Sequence, residues 1–286
     1  MNINSQFPIF IVSKGRYEIR MTSDALSKLK VKHHIVIEKQ EYDLYREHTK
    51  GNSFVELVIL DKKFQDEYKV LDDLGDSKSK GPGAARNFVW DYSMKAGYSH
   101  HWVMDDNIRD FYSYNKNRRK PIKDSKIFNS LLNQIENVAC SYSNVYMSGM
   151  NYVMFVPDKQ KCNPYTLNTR IYSCNFIRND IPFRWRGRYN EDTILSLDIL
   201  AKGFCTLQFN VLLQQKITTQ KLGGGNTKEF YAEEGTYPKS KMLIDVYPQY
   251  CKMVHRFGRI HHFCNYQIFK NKLKKCLEVK RENQKK

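Results

Sequence analysis

Several things this chain lacks narrow its class. No apolar run approaches the ~20 residues needed to span a bilayer, so no membrane partner is expected. Asn2, Asn4 and Ser5 precede Phe7 where a secretory signal would carry its apolar segment; the expected location is the cytoplasm, a host's if the chain is viral. The seven cysteines form no C-x-x-C pair, which argues against a zinc site and against a disulfide framework. Cys174 and Cys205 lie inside apolar runs and read as buried, reduced thiols. Internal repeats and clear linkers are also missing, so one domain over residues 1–270 is expected, with a basic tail over 271–286. Acidic residues are in deficit: 30 Asp and Glu stand against 47 Lys and Arg, a net charge of +17. That surplus suits a polyanionic partner such as nucleic acid, anionic lipid or a phosphorylated substrate, although solubility alone would also account for it.

What is present is a core-forming composition, 41% hydrophobic and 13% aromatic. Residues 7–12 are apolar and end on Ser13, Lys14, Gly15 and Arg16, as a buried strand entering a loop does. A helix within 17–29 and strands at 34–38 and 54–60 predict β-α-β units, hence an α/β fold with a mainly parallel sheet flanked by helices. Residues 72–83 are polar and rich in turn formers; a helix from near Ala84 comes next, with Ala85, Phe88, Val89 and Tyr92 on its apolar side. A strand at 101–104 then runs directly into Asp105, Asp106 and Asn107. Downstream come a basic loop at 116–120, an amphipathic helix over 125–139, strands within 145–156 and 165–177, and a loop at 182–188. A helix opening on Glu191 and Asp192 can be ended by Gly203, before a strand at 206–213. Beyond it the chain reads as loop, including the stretch from Gly223 to Asn226. The residues from Lys270 onward, eight basic and two acidic, read as a frayed helix or a flexible arm.

Three stations along this path carry chemistry. Asp105, Asp106 and Asn107 offer oxygen donors on a tight turn, a set suited to Mg²⁺ or Mn²⁺, at the strand end where open α/β sheets bind ligands. The same triplet would serve as an Asx turn capping the next helix. Gly81, Pro82 and Gly83 lead into a helix whose first turn carries Arg86; glycines admit a ligand close to the backbone, and the arginine can reach a phosphate. Glu191 and Asp192 open their helix where acidic residues meet its dipole favourably, and either carboxylate could act as a general base.

Taken in order, Ser13-Lys14-Gly15-Arg16, the Gly83, Arg86 and Asn87 station, Asp105-Asp106-Asn107, Tyr189-Asn190-Glu191-Asp192 with Gly203, and a late Arg259-Ile260-His261-His262 resemble a GT-A glycosyltransferase. The resemblance is closer to the group associated with TET/JBP-type base oxygenases, which includes base J glucosyltransferase and phage enzymes that glycosylate 5-hydroxymethylpyrimidines in DNA. It spans roughly residues 7 to 270, and it implies a GT-A-like, Rossmann-related sheet. It also implies that Ser13, Lys14, Arg16, Gly83, Arg86 and Asp105 border a nucleotide-sugar donor. Asp105, Asp106 and Asn107 would match the metal-bearing element, with Asn107 replacing the acidic residue common at its last position. That swap removes a charge and weakens metal affinity. Asp192 would be the base, with Glu191 its alternative, and His262 or His261 would complete the metal or diphosphate site unless they are a surface pair.

The implied reaction is metal-dependent transfer of a sugar, glucose from UDP-glucose in the first instance, with inversion. The surplus charge directs the acceptor toward DNA carrying 5-hydroxymethylcytosine or 5-hydroxymethyluracil. Arg118 and Arg119 in the basic loop, and Arg184, Trp185, Arg186 and Arg188 just before the expected base, are the candidate DNA contacts. A base swung out of the duplex could then reach Asp192; Phe183 and Trp185 would otherwise be core residues under a loop. Rival readings are a GT-A enzyme acting on a protein, lipid or polysaccharide, a non-catalytic DNA-binding relative, and a nucleotidyltransferase. Oligomeric state is not legible.

Overall fold

The computed structural model describes residues 5–72, 79–217, 237–256 and 258–276. Its centre is β1 (Ile9–Val12), whose four residues are all buried because both faces of the strand are covered. Alternation sends Ile9 and Ile11 to one face and Phe10 and Val12 to the other. Ile9 and Ile11 pack with Leu26 of α1 (Met21–Lys28) and with Phe128 and Leu132 of α5 (Ser125–Cys140). Phe10 and Val12 pack with Val89 and Trp90 of α4 (Gly83–Lys95) and with Leu195 and Ile199 of α6 (Glu191–Ala201). Helices therefore flank the sheet on both sides, the α/β architecture expected.

The sheet runs β3 (Val55–Ile59), β2 (His33–Ile37), β1, β4 (His100–Asp105), β9 (Cys174–Arg178), β7 (Val145–Tyr152), β10 (Cys205–Lys216), β5 (Ile108–Asn115) and β6 (Arg118–Pro121), with β8 (Tyr165–Leu167) also paired to β10. The first four strands are a parallel block. Antiparallel β9 sits between β4 and β7, and β7 is parallel to β10. The C-terminal ends of β1, β4, β7 and β10 and the N-terminal end of β9 consequently share one edge of the sheet. Short helices α2 (Tyr42–Thr49) and α3 (Lys63–Asp66) complete the first half.

Three stretches differ from expectation. The basic segment 116–120 is half turn and half strand: Lys116 and Asn117 take positive φ, and Arg118 onward pairs back on β5. The region expected to be loop after 213 instead continues β10 to Lys216, and later forms α7 (Tyr237–Val246) and a hairpin of β11 (Cys251–Arg256) and β12 (Arg259–Cys264). The start of the expected tail is docked: Asn271 donates to the carbonyls of Leu200 and Phe204, and the Ser143 and Cys276 amides donate to the carbonyls of Lys274 and Ser141. The stretch from Gly223 to Asn226, Asn2 and Asn4, and residues 277–286 lie outside the described residues. All seven cysteines are free. Among the described residues, no helix is long and apolar enough to cross a membrane.

Candidate active site

A cleft of about 530 Å³ opens across the shared strand edge, within the range of small-molecule sites. Ser13, Lys14 and Arg16 enter it from the end of β1, Asp105 to Asn107 from β4, Tyr152 from β7, Ser173 from just before β9, and Lys216 from β10. Arg86 comes from the first turn of α4, and Glu191 and Asp192 from that of α6. Residues far apart in sequence meet because the strand order brings their ends together, the location general to open α/β sheets.

At the centre lies the Arg86 guanidinium, 1% exposed. Its Nη2 donates to Asp105 Oδ1 at 2.6 Å, while Nη1 donates to Asp192 Oδ1 at 2.6 Å and Glu191 Oε1 at 2.9 Å. The Trp185 ring packs against it, 4.7 Å from Cζ to centroid. Burial alone would lower the guanidinium's pKa, but Asp192, Asp105 and Glu191 together hold it above its ordinary value. The second Asp105 oxygen accepts from Lys216 Nζ at 2.5 Å, and the same ammonium donates to Ser173 Oγ at 2.9 Å. Burial would raise the Asp105 carboxyl; Lys216 and Arg86 overcome it and hold it well below the usual carboxylate range. Asp106 pairs with Arg16 through one oxygen and accepts from Ser13 Oγ at 2.8 Å through the other. The turn is clamped by α1, where Thr22 Oγ1 donates to the Asp105 carbonyl at 2.6 Å and accepts from the Ile108 amide at 2.8 Å.

Asp192 also has partners other than Arg86. The Ser173 amide donates to Oδ2 at 3.3 Å and Asn175 Nδ2 to Oδ1 at 3.4 Å. Burial raises the pKa of both acids of the pair, Glu191 to about 7 and Asp192 also upward, against the lowering pull of Arg86. A base of raised pKa in contact with a cleft suits proton removal near neutrality.

Other anticipated residues take different positions. Gly81, Pro82, Ala84 and Ala85 line the cleft, whereas Gly83 packs under Tyr68: a Cβ there would stand 1.9 Å from the phenol oxygen. Gly81, at φ +80°, lets the loop pass the Arg188 carbonyl, which a Cβ would meet at 2.5 Å. The stretch expected to meet DNA is turned inward only in part: Trp185 and Arg188 are buried, Arg186 is half-buried and Arg184 is exposed. Trp185 is 2% exposed in the core, Arg184 lies over the Trp90 ring, and Arg186 makes a two-point pair with Asp198. Arg188 lines the cleft but is buried against Asp72 at 2.8 Å. Asp198 and Asp72 therefore pair with Arg186 and Arg188, and the Trp90 ring of α4 underlies Arg184. His262 sits on β12 and does not itself line the cleft; burial and then Lys239 and Arg170, which do line it, lower its pKa to about 3.

Lys216, Tyr152, Arg170, Tyr172, Ser173 and Lys239 line the cleft without having been expected there. The one signal for Lys216 was a cation three residues past the strand expected at 206–213, hidden because Gln214 and Gln215 read as loop.

The donor set does not fit the divalent metal that the resemblance implied. Mg²⁺ and Mn²⁺ need open carboxylate oxygens in regular array. Here Arg86 fills the space between Asp105, Glu191 and Asp192, and Lys216, Arg16 and Ser13 engage the remaining oxygens of the two aspartates. Asn107 also lines the cleft; its Nδ2 donates to the Ile217 carbonyl at 3.0 Å, and it brings no charge to the set. Among the described residues, no three His, Cys, Asp or Glu side chains are grouped to hold a metal.

A family model described as TET-Associated Glycosyltransferase matches residues 7–225, more than half of the chain. A solved structure, that of 4-diphosphocytidyl-2C-methyl-D-erythritolsynthase from Anaerococcus prevotii DSM 20548, is similar at a TM-score of 0.35 and 12% identity, covering 75% of this chain and 93% of that one. No curated protein matches.

Proposed function

Because the chain belongs to the TET-associated glycosyltransferase family, we propose that it moves a sugar from a UDP-sugar to the hydroxymethyl group of 5-hydroxymethylcytosine or 5-hydroxymethyluracil in DNA. The observation that carries this reading is Arg86, which ties Asp105 on the donor side of the cleft to Asp192 on the other within one guanidinium. A base held that close to the donor end can take a proton from an acceptor hydroxyl as the hydroxyl oxygen attacks the anomeric carbon. The new C–O bond forms as the bond to the diphosphate breaks, and the nucleoside diphosphate leaves with the electron pair. A single displacement inverts the anomeric centre. General-base help of this kind contributes on the order of 10²- to 10⁴-fold.

The acceptor side is supported by its aromatic and cationic surface. Tyr152 and Tyr172 meet edge to face at 4.5 Å, and Arg170 lies over Tyr172 at 4.3 Å, all three on the cleft wall. Phe155 stacks on Tyr152 from outside at 5.7 Å, and Met154 and Phe155 are 69% and 56% exposed. The β5–β6 hairpin is fastened alongside: Arg119 Nη1 donates to the Val153 carbonyl at 2.8 Å, and Arg118 stands 3.8 Å from Asp158. Exposed apolar side chains within a basic rim suit a duplex with one base displaced: cations meet phosphates, and apolar groups fill the gap.

The test uses labelled UDP-sugars with duplexes carrying 5-hydroxymethylcytosine, 5-hydroxymethyluracil or neither. Label should enter only hydroxymethylated DNA, and Asp192→Asn should lose nearly all of it. Absence of label from every duplex, or equal incorporation by Asp192→Asn, overturns the proposal.

A further inference from the structure

We propose that this site neutralises the leaving diphosphate with its own side chains, Lys216 replacing a divalent ion at the phosphates while Arg86 fills the position between the carboxylates. The inference rests on the transferase reading above and concerns how that same site handles charge.

A cation is needed in two places in such a reaction. Acids gathered for catalysis repel one another unless something positive lies between them, and charge developing on the departing phosphate oxygen must be balanced. A metal ion ordinarily serves both ends. In this chain the first place is taken by a guanidinium with 2.6 Å contacts to Asp105 and Asp192 and a 2.9 Å contact to Glu191. Guanidinium is always protonated and cannot be withdrawn by chelation.

The second place is set by Lys216. An ammonium has three donors; Asp105 and Ser173 receive two of them. The third is left for a phosphate oxygen, since Lys216 lines the cleft and its side chain is 17% exposed. Buried against Asp105, its pKa is raised above the ordinary lysine value despite the lowering effect of burial, so it stays charged at any working pH. Further cations of the wall reinforce it: Arg170 and Lys239 stand on the same cleft, and basic side chains lining it outnumber acidic ones. A metal-binding version of this site would show the reverse balance and an acidic last position in the triplet. Here that position is Asn107, held by the Ile217 backbone.

The test measures binding, so it does not depend on turnover. Uridine, guanosine and adenosine diphosphates are titrated calorimetrically into the full chain with EDTA or with Mn²⁺, and free Mn²⁺ is followed by its electron paramagnetic resonance signal. One nucleotide should bind in EDTA within about threefold of its affinity in Mn²⁺, and the protein alone should leave the Mn²⁺ signal unchanged. Lys216→Met should weaken nucleotide binding by about 10- to 100-fold, the loss of one charged hydrogen bond, and Lys216→Arg should recover most of it. Circular dichroism establishes that both variants are folded; should Lys216→Met not fold, Lys216→Gln takes its place. Binding that requires stoichiometric Mn²⁺, or equal affinity for Lys216→Met and wild type, overturns the inference and leaves the transferase reading standing. Binding of no nucleotide under either condition overturns both.

Discussion

Replacing Arg86 with methionine tests whether one guanidinium holds this site together. The side chain is 1% exposed, and its three carboxylate partners share it almost entirely. Methionine preserves most of the volume under Trp185 but leaves Glu191 and Asp192 without their cation, whereas Asp105 retains Lys216. Charged hydrogen bonds contribute about 1.5–3 kcal/mol each, but three made by one group do not add. Breaking a buried pair costs about 3–5 kcal/mol, and that figure is expected at pH 8. Loss of the cation raises the folded-state pKa of Glu191 and Asp192 further. A carboxyl raised in the folded state costs nothing while protonated in both states; its penalty builds as pH rises from the unfolded value to the folded one and is complete above it. The deficit should therefore shrink below about 2 kcal/mol at pH 5. Urea unfolding followed by circular dichroism at both pH values reads it directly, provided the slope is unchanged. A deficit under about 1 kcal/mol at pH 8, below the cost of any broken buried pair, or one equal at both pH values, refutes the assignment.

Other perturbations probe the same geometry. Glu191, raised from 4.5 to about 7, carries a penalty that builds between those pH values and is complete above them, so Glu191→Gln should stabilise the protein by roughly 2–3 kcal/mol at pH 8.5 and hardly at pH 4, in urea melts at each pH. Gly83→Ala drives a Cβ into Tyr68 and should cost about 1–3 kcal/mol in thermal melts; in a Tyr68→Ala background the added cost should largely disappear, and an undiminished cost would point to backbone strain. Met154→Ala and Phe155→Ala, on exposed side chains, should leave the melting temperature unchanged. In fluorescence anisotropy both should weaken binding to hydroxymethylated duplex with nucleotide affinity unaltered, Phe155→Ala by about 1–3 kcal/mol, the range of a lost base–aromatic contact.

Much of the scaffold was legible because apolar runs fall on buried strands. The stretches around Phe10, Ile35, Leu57 and Val103 are β1 to β4, and the amphipathic stretch from Ser125 became α5, started by Asp124 accepting from the Lys126 amide. β5 escaped notice because Arg109 and Asp110 interrupt its apolar pattern; they precede the Tyr112–Asn115 stretch that pairs with β6, and Arg109 is exposed there. The cluster of Arg86, Asp105 and Asp192 could be read from order along the chain. Its cations could not: nothing local distinguishes Lys216 from a surface lysine until β10 is placed beside β7. In the arginine-rich stretch the partners were hidden for the converse reason. Arg186 reads as a phosphate contact, but Asp198, twelve residues on and one α6 face away, is its partner.

The central claim is that Asp192 removes the acceptor proton in a cleft already holding the donor. Its most direct test is the release of UDP from a UDP-sugar, measured with and without hydroxymethylated duplex, for wild type and Asp192→Asn. Wild type should release UDP much faster when the duplex is present. Asp192→Asn should lose that acceptor-dependent part by about 10²- to 10⁴-fold while binding UDP as before. Equal acceptor-dependent rates in the two proteins would contradict the account.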